Sequence, residues 1–472
     1  MVPDVDVNGQ DPVPPSWERG TMVVLPSLSF PVAELVKITG IDHYEERLLC
    51  TLLLLQRPDV RVVYLTSQPL DPAIVDYYLG FLDDPAEART RLHLLAAGEV
   101  GPRPLTQKVL DRPEMLSQLR RLLPDDGSAT LLPFNVTAGE WELATALGLP
   151  LDGPPVDRVP LGSKTGSRRV AHRAGIAVPA GEEALYSLVE VEAAIGRLGR
   201  RGRAARAVVK LNDGFSGQGN ALVDLTGPAA SLSVDSTTFC AAGESWSSFG
   251  AKIATEGAIV EEVLDSPLAS PSVQLRIAPG GAVRIVSTHD QVLGGPGGQV
   301  YQGCRFPASE SYRAAIGAAA VAVGDVLAED GVVGPLGIDF LVTGQPGAFE
   351  IFLSEINLRM GGTTHPFWMA RLATAGRYDA GRGQLVVRGR PRCYVATDNL
   401  KLPNLVGSSP ASVVAAVETS GLAFDRATGS GATLHLLGAL ARHGKMGVTC
   451  IADDPEGAQA RFAEVTALLA RH

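Results

Sequence analysis

The feature that most restricts the fold is the regular alternation of short apolar runs with helical patterns between residues 21 and 155. The apolar runs have the length and composition of buried β-strands. Strand–helix alternation predicts βαβ units and a mostly parallel sheet, that is, a Rossmann-like α/β domain. No glycine fingerprint follows the first strand, so we expect no dinucleotide site there. The predicted strands are 21–25, 60–66, 92–97 and 130–134, and the predicted helices are 45–56, 72–82, 105–123 (broken near Pro113) and 139–147.

After residue 155 the pattern changes, and glycine-rich turns separate short strands. Ser163 has the residue type of an N-cap, a long helix is predicted over 181–200, and Pro279-Gly280-Gly281 predicts a hairpin. Residues 245–249 are predicted to form an exposed loop. Taken together, the patterns predict an α/β and α+β protein. We divide it into a flexible tail (1–20), the Rossmann-like domain (21–155), a central domain (156–390) and a small C-terminal α+β domain (391–472).

Composition excludes several classes of protein. The 51 acidic and 41 basic residues give a formal charge of −10, and no basic run offsets it, which argues against nucleic-acid binding. Five widely spaced cysteines without a CxxC pair fit neither a disulfide framework nor a zinc site, and they favour a reducing cytoplasm. The apolar stretch 48–55 is too short for the roughly 20 residues of a membrane helix, and residues 1–20 lack the basic start of a signal peptide.

Lysine is rare in this chain, with seven residues against 34 arginines. Codon bias accounts for the total, but a retained lysine can mark a position that needs a compact point charge. Lys164 lies in the first turn of a predicted helix, where the helix dipole disfavours a cation unless an anion binds beside it. A surface lysine is the alternative.

A second lysine, Lys210, ends a hydrophobic strand and leads into a loop with three glycines and a serine. Glycines let backbone N–H groups approach a polyanion, and the lysine adds a mobile positive charge. Because a strand follows and the GxxxxGK[ST] pattern is absent, this is not a P-loop. An ordinary glycine hairpin with a solvated lysine is the alternative.

Carboxylates on two later strands predict a metal site. Asp339 lies between apolar residues, whereas Glu355 and Asn357 are two residues apart and so share one face of their strand. Buried carboxylates need a partner, and Mg²⁺ takes oxygen ligands together with phosphates and water. Arg359 follows at the same spacing. A pair of salt-bridged strands is the alternative.

Between these segments, an apolar strand over 258–264 carries Glu261 and Glu262. It is interpreted either as a solvated edge strand or as a hinge whose backbone and one carboxylate hold an adenine.

The order of these motifs over residues 156–375 resembles the ATP-grasp superfamily. The resemblance implies that Lys164 and Lys210 hold the nucleotide phosphates and that Glu261, Glu262 and Val263 form the adenine hinge. It also implies that two Mg²⁺ ions bind to Asp339, Glu355 and Asn357. The ribose contact departs from the usual pattern, and Asp265 and Ser272 are the candidates for it. The residues matched to the flexible phosphate loop are Gly214, Ser216, Gly217, Gln218 and Gly219.

Over nearly the whole chain, the sequence is similar to the pheganomycin-type peptide ligases. That resemblance implies an ATP-dependent ligase that joins a carboxylate to an amine or peptide through an acyl phosphate, and a possible homodimer. Another ATP-grasp ligase or carboxylase, or an ATP-binding regulator without turnover, are the alternatives. Arg359 and, in second rank, Arg276 and Arg305 are the predicted substrate contacts. Residues predicted as possible proton relays or further substrate contacts are His289, His365, His435, His443 and Lys445.

Overall fold

The computed structural model describes residues 17, 19–201, 204–214, 219–226, 236–241, 243–264, 267–295, 298 and 300–472. Their strands form three sheets, which we call the N-terminal, small and large sheets. The predicted tail lies mostly outside the described residues. Trp17, however, is buried, with its ring centroid 4.6 Å from that of Trp368. Trp17 is therefore packed into the fold.

The N-terminal sheet has four parallel strands, which confirms the predicted Rossmann-like sheet. Val23 and Leu25 are buried on one face, and Met22 and Val24 are buried on the other. Burial of both faces explains why these strands are continuous apolar runs. In spatial order, the strands are Leu92–Ala96, Val60–Thr66, Gly20–Leu25 and Ala129–Pro133.

Helices cover both faces of this sheet. One of them, Pro85–Thr90, was not predicted. Its cap is Asp84, whose carboxylate accepts a hydrogen bond from the Glu87 N–H at 2.9 Å, and a proline occupies the first helical position. The predicted break near Pro113 separates two helices. The helices are Val32–Leu35, Ile41–Gln56 (a 3₁₀ helix), Pro72–Leu79, Pro85–Thr90, Leu105–Leu110, Pro113–Leu122 and Ala138–Leu147.

The small sheet contains five antiparallel strands, and the helix predicted over 181–200 is wrong in its first part. Gly181–Leu185 is an edge strand, and the helix begins at Leu188. A Cβ atom at Gly181 would lie 2.0 Å from the Val260 carbonyl oxygen, so a residue without a side chain lets the two strands approach. In spatial order, the strands are Gly181–Leu185, Ala258–Glu262, Arg206–Leu211, Asn220–Asp224 and Thr237–Phe239.

Two helices, Leu188–Arg200 and Trp246–Glu256, cover the small sheet. The second one replaces the exposed loop predicted over 245–249, which is also wrong. Ser245 caps this helix by accepting a hydrogen bond from the Ser248 N–H, and Phe249 is fully buried. The serine-rich composition therefore marks a helix start.

The large sheet has ten strands and joins the central part to the C-terminal part. The predicted hairpin at 279–281 connects two of its strands, as expected. Cys304 on one strand pairs with Ala396 on another, so the sheet continues across the predicted boundary at residue 390. Along its main path, the strands are Ala348–Asn357, Gly334–Gln345, Pro271–Ile277, Val283–Gly294, Val300–Phe306, Arg390–Lys401, Gln384–Val387 and Arg377–Asp379; Lys445–Ala452 pairs with Arg390–Lys401 and with Gly431–His435.

Helix Glu310–Glu329 packs along the large sheet. By length and composition alone this 20-residue helix could span a membrane, because its most apolar 18 residues have a mean hydropathy of 1.3, whereas the stretch 48–55 is too short. Ile316, Ala320 and Val323 on this helix are buried in one cluster with Leu275 of the sheet. This one-sided packing is typical of a core helix in a globular domain.

The remaining helices complete the core beside the large sheet. One apolar cluster contains Leu48 and Leu52 of the N-terminal domain together with Leu434 and Val448 of the C-terminal part. The two ends of the chain therefore share a core. The helices are Val156–Gly162 (3₁₀), Lys164–Arg173, Thr364–Thr374, Pro403–Leu405 (3₁₀), Pro410–Thr419, Leu437–Ala439 (3₁₀), Leu440–His443 and Pro455–Leu469.

Candidate active site

A cavity of about 160 Å³ lies between the N-terminal domain and the large sheet. Four predicted site residues line it: Asp339, Glu355, Asn357 and Arg359. Arg47 and Phe134 line it from the N-terminal domain. Phe134 directly follows the strand Ala129–Pro133 of the N-terminal sheet. The cavity is thus built by residues from distant parts of the chain.

Strand pairing in the large sheet places the acids side by side. Asp339 pairs with Glu355 on one neighbouring strand and with Ser272 on the other. In the next row, Gly337 separates Gln274 from Asn357. The Asn357 side-chain amide donates to Asp339 Oδ2 at 3.2 Å, which brings the third predicted ligand to the same place.

The acids form a donor set that suits a hard cation. Burial first, and then the charge of Glu355, raise the pKa of Asp339 to about 6. A divalent cation would relieve this like-charge repulsion, and two carboxylates with an amide oxygen are ligands that Mg²⁺ accepts. In the described part of the chain, no group of three or more His, Cys, Asp and Glu side chains forms a metal site. Phosphate oxygens and water would therefore have to complete the coordination.

Lys164 links the acidic row, by which we mean Asp339 and Glu355, to the glycine loop. Its Nζ donates to Glu355 Oε1 at 2.6 Å and to the Gly214 carbonyl oxygen at 3.0 Å. Ser163 caps the helix by accepting a hydrogen bond from the Gly166 N–H at 3.0 Å, as predicted from its residue type. Lys164, in the first turn of its helix, is thus buried between the Glu355 carboxylate and the base of the glycine loop.

Asn212 holds the start of this helix against the small sheet. Its carbonyl oxygen and its Oδ1 accept hydrogen bonds from the Lys164 and Thr165 N–H groups, at 3.2 and 2.9 Å. Its side-chain amide donates to the Glu256 carbonyl oxygen at 2.9 Å. Asn212 was not among the predicted site residues. Its position directly after the lysine strand was the available signal.

Lys210 belongs to a second buried charge group, with Glu261 and Arg168. Lys210 Nζ lies 2.8 Å from Glu261 Oε2, and Arg168 Nη1 donates to Glu261 Oε1 at 2.6 Å. All three side chains are buried, and Glu261 is only 1% exposed. Arg168 Nε also donates to Glu183 Oε2 at 3.0 Å, so the two cations are matched by two carboxylates. Arg168 was not predicted.

The other predicted hinge residues are held by backbone contacts. Glu262 Oε1 accepts a hydrogen bond from the Ala180 N–H at 2.9 Å, and the Val263 N–H donates to the Arg206 carbonyl oxygen at 2.9 Å. Strand Ala258–Glu262 lies between two other strands, so it is not the solvated edge that was the alternative.

The glycine loop closes on itself at its base. A Cβ atom at Gly219 would lie 2.8 Å from the Cα atom of Gly214, so these two positions accept little more than glycine. The predicted loop residues Ser216, Gly217 and Gln218 lie outside the described residues.

The predicted substrate arginines have different surroundings. Arg359 lines the cavity, and its Cζ lies 5.5 Å from the centroid of the Phe30 ring. Arg276 does not line the cavity. Its Nη2 donates to Asp152 Oδ1 at 2.5 Å, which links the large sheet to the N-terminal domain. Arg305 reaches Gln459 on the C-terminal helix at 3.5 Å. Neither Arg276 nor Arg305 is brought to the acids.

The predicted histidines are mostly core residues. His289 is fully buried, and its Nε2 lies 2.7 Å from the Tyr394 hydroxyl oxygen. Burial lowers the pKa of His289 to about 3, and burial also lowers the pKa of His435 to about 4. His365 packs against His435 with ring centroids 4.6 Å apart. None of the three lines the cavity, and His443 lies at the end of a short helix.

Three family models match the chain in the order of its parts. They are described as the Pre ATP-grasp domain (residues 48–149), the IQCH-like ATP-grasp (233–380) and the PGM1 C-terminal domain (412–461). The L-propargylglycine–L-glutamate ligase of Streptantibioticus cattleyicolor is 34% identical over 468 residues, covering 95% of this chain and 94% of that protein. The chain belongs to the ATP-grasp superfamily. Its pheganomycin-type domain order is that expected from the sequence, and the protein is an ATP-dependent ligase.

More distant ATP-grasp proteins share the fold. IQ motif-containing protein H of Danio rerio is 23% identical over 402 residues, covering 73% of this chain and 38% of that protein. Biotin carboxylase from Campylobacter jejuni superposes with a TM-score of 0.57 at 12% identity, covering 97% of this chain and 95% of that chain. The ADP complex of N5-carboxyaminoimidazole ribonucleotide synthetase gives a TM-score of 0.56 at 12% identity, covering 98% of this chain and 99% of that chain. These likenesses support the ATP-grasp fold.

Proposed function

We propose that this ATP-grasp ligase joins the carboxylate of one amino acid to the amine of another through an acyl phosphate, in peptide natural-product biosynthesis. The observation that carries the proposal is the convergence of Asp339, Glu355, Asn357 and Lys164 beside one cavity that Arg359 also lines. The similarity to the L-propargylglycine–L-glutamate ligase, which is named for two amino acids, supports the choice of substrate class.

The reaction has two steps. A carboxylate oxygen of the donor attacks the γ-phosphorus of ATP, the bond from this phosphorus to the β–γ bridging oxygen breaks, and ADP leaves. The amine nitrogen then attacks the acyl carbon, the carbon–oxygen bond to phosphate breaks, and the nitrogen loses a proton as phosphate departs. The products are an amide, ADP and phosphate.

The residues divide this work by position. Lys164 contacts the Gly214 carbonyl oxygen at the base of the glycine loop, and Lys210 lies on the strand that leads into this loop, so both ammonium groups are proposed to hold the nucleotide phosphates. Glu261 to Val263 form the hinge side of the nucleotide site. Asp339, Glu355 and Asn357 would hold two magnesium ions, which when bound neutralise phosphate charge. Arg359 presents a planar donor pair to the donor carboxylate or the transferring phosphoryl group.

The proposed cellular compartment and partners of the enzyme follow from its cysteines and from the proposed reaction. All five cysteines are free and buried, which fits a reducing cytoplasm. The proposed partners are small carboxylate and amine substrates, with no nucleic acid or membrane, and a homodimer is expected. Size-exclusion chromatography with light scattering measures the oligomeric state.

A screen of donor and acceptor amino acids with ATP tests the proposal. Hydroxylamine in place of the acceptor traps an acyl phosphate as a hydroxamate, so donors are found without knowing the amine. We expect hydroxamate and ADP with at least one donor, and a dipeptide with at least one pair. ATP hydrolysis that needs bicarbonate would identify a carboxylase, and nucleotide binding without turnover would identify a regulator.

A further inference from the structure

Arg47, in the N-terminal domain, lines the cavity and has a guanidinium donor that the described residues leave unpaired. The residue is 6% exposed and lines the cavity. Its Nη2 donates to Asp398 of the C-terminal part, whereas its buried Nε has no hydrogen-bond partner in the described residues. An arginine carries five N–H donors, and a buried donor without a partner destabilises the fold. The guanidinium group can therefore donate further hydrogen bonds to an anionic ligand.

The arginine is held rigidly in this position. Its Cζ lies 4.1 Å from the centroid of the Tyr44 ring and 5.8 Å from that of Phe134. Stacking on aromatic rings and pairing with a buried carboxylate fix the plane of the guanidinium group, so little side-chain entropy is lost when a ligand binds.

The charges around Arg47 do not balance. Lys445 is buried beside it and donates to the Tyr44 hydroxyl oxygen at 2.8 Å and to the Thr39 carbonyl oxygen at 3.0 Å. Burial lowers the pKa of Lys445 to about 8, so it remains mostly cationic at pH 7. Asp398 is the carboxylate that lies between the two cations. Although burial alone would raise its pKa, the charges of Arg47 and Lys445 lower it.

The acid next to Arg47 in the chain does not correct this imbalance. Glu46, the neighbour of Arg47 in the chain, turns its carboxylate to His43 Nδ1 at 3.2 Å and to the Gly438 N–H at 3.1 Å. Burial keeps His435 neutral by lowering its pKa to about 4. The group therefore holds about one excess positive charge next to the cavity, and buried charge needs a partner.

We infer that Arg47 binds the carboxylate of the acceptor amino acid, the substrate that supplies the amine. This inference rests on the proposed function. The donor carboxylate is converted into the amide, and the acidic row with Arg359 lies at its reaction site. The acceptor carboxylate survives the reaction, so it is the substrate anion that a second, separate cation in the same cavity can hold throughout.

A carboxylate pinned at Arg47 also orients the acceptor. A bidentate contact to the guanidinium plane directs the attached amine toward the rest of the cavity, where the acyl phosphate forms. Amines without a carboxylate would lose this contact and leave the buried cation unpaired. We therefore expect selection for amino acids over their amides.

The test compares each accepted amino acid with its α-amide, using wild-type enzyme and the donor found by hydroxamate trapping. For glutamate, both isoglutamine and glutamine are used, so that the two carboxylates are distinguished. We expect kcat/KM for the acid to exceed that for one amide at least 30-fold. Equal use of acid and amides, or hydroxamate formation without acceptance of any amino acid, would overturn the inference. Absence of hydroxamate with every donor would overturn the proposed function itself.

Arg47→Lys keeps a charge opposite Asp398 but removes the planar donor pair. We expect the acceptor KM to rise about tenfold and the preference for acid over amide to fall about tenfold, whereas the rate of hydroxamate formation falls by a smaller factor. The matched control is Arg91→Lys in the same domain, because Arg91 donates to the backbone oxygens of Leu55, Arg57 and Val60 away from the cavity. An acid preference retained in Arg47→Lys at the wild-type level would contradict the assignment.

Discussion

Lys164 Nζ and Glu355 Oε1 lie 2.6 Å apart although 191 positions separate them in the sequence. The pair connects the start of a helix to an edge strand of the large sheet, and the Gly214 carbonyl oxygen accepts a hydrogen bond from the same ammonium group. A nucleotide phosphate that enters this site would therefore meet a lysine already placed beside the carboxylate that we assign to magnesium. The contact between the base of the glycine loop and the proposed metal site is therefore preformed.

Removal of either predicted metal carboxylate should abolish ligation. We expect Glu355→Gln and Asp339→Asn each to lower kcat/KM about 100-fold or more, because the amide loses the charge that balances the cation. ADP release as a function of Mg²⁺ concentration measures the effect. Glu350→Gln, on the same strand but away from the cavity, is the control. Full activity in Glu355→Gln would disprove the metal assignment.

The two phosphate lysines should matter for ATP more than for the other substrates. Lys164→Ala and Lys210→Ala should each raise the KM or Kd for ATP roughly 10- to 100-fold, since a hydrogen bond to a charged group contributes about 1.5–3 kcal/mol. Isothermal titration with a non-hydrolysable ATP analogue measures the affinity. An affinity for ATP unchanged in both variants would refute their assignment.

The control for these lysines follows from burial. Lys108 is unsuitable as a control, because it is 1% exposed and donates to Ser67 Oγ at 2.9 Å and to the Gly101 carbonyl oxygen at 2.7 Å. Its loss would destabilise the N-terminal domain. Lys37, in a partly exposed pair with Glu34, is the better control, because such pairs contribute little to stability.

Asn212→Ala should affect both stability and nucleotide affinity. The variant loses the acceptor for the Thr165 N–H and the donor to the Glu256 carbonyl oxygen. We expect destabilisation of about 1–3 kcal/mol and a higher KM for ATP, since the lysine helix is no longer held at its start. Urea denaturation and steady-state kinetics measure the two effects. Asn212→Asp, which keeps the acceptor, should retain more affinity. Equal losses in both variants would contradict this role.

Acid should destabilise the protein partly through His289. Its pKa is lowered by burial to about 3, against 6.5 for an ordinary histidine. Between these values, the unfolded chain binds a proton that the folded chain excludes, so stability falls as pH falls from 6.5. His289→Gln removes this contribution, at about 1.4 kcal/mol per pH unit. Urea midpoints at pH 6.5 and 5 should therefore differ less in the variant, and an identical difference would contradict the assignment.

Secondary structure was predicted correctly where the residues of a single segment determine it. The strands of the N-terminal sheet were found because both faces are buried, and the cap at Ser163 was found because its side chain bonds within its own helix. The strand at 181–185 was missed because its pairing with Glu261 and Val260 depends on a segment 80 residues away. The helix start at Ser245 was missed because the serines were interpreted as part of a loop and not as a helix cap.

The sequence by itself determined the order of the parts, the parallel N-terminal sheet and the residue types of the candidate site. The chemistry of lysine, carboxylate and glycine is local, so it can be recognised from single segments. Only the tertiary structure decided which of these residues share a cavity. In the folded chain Arg276 pairs with Asp152 outside the cavity. Arg47 and Asp398, which come from opposite ends of the chain, form an ion pair. Such contacts depend on sheet register and on a shared core, which no local pattern encodes.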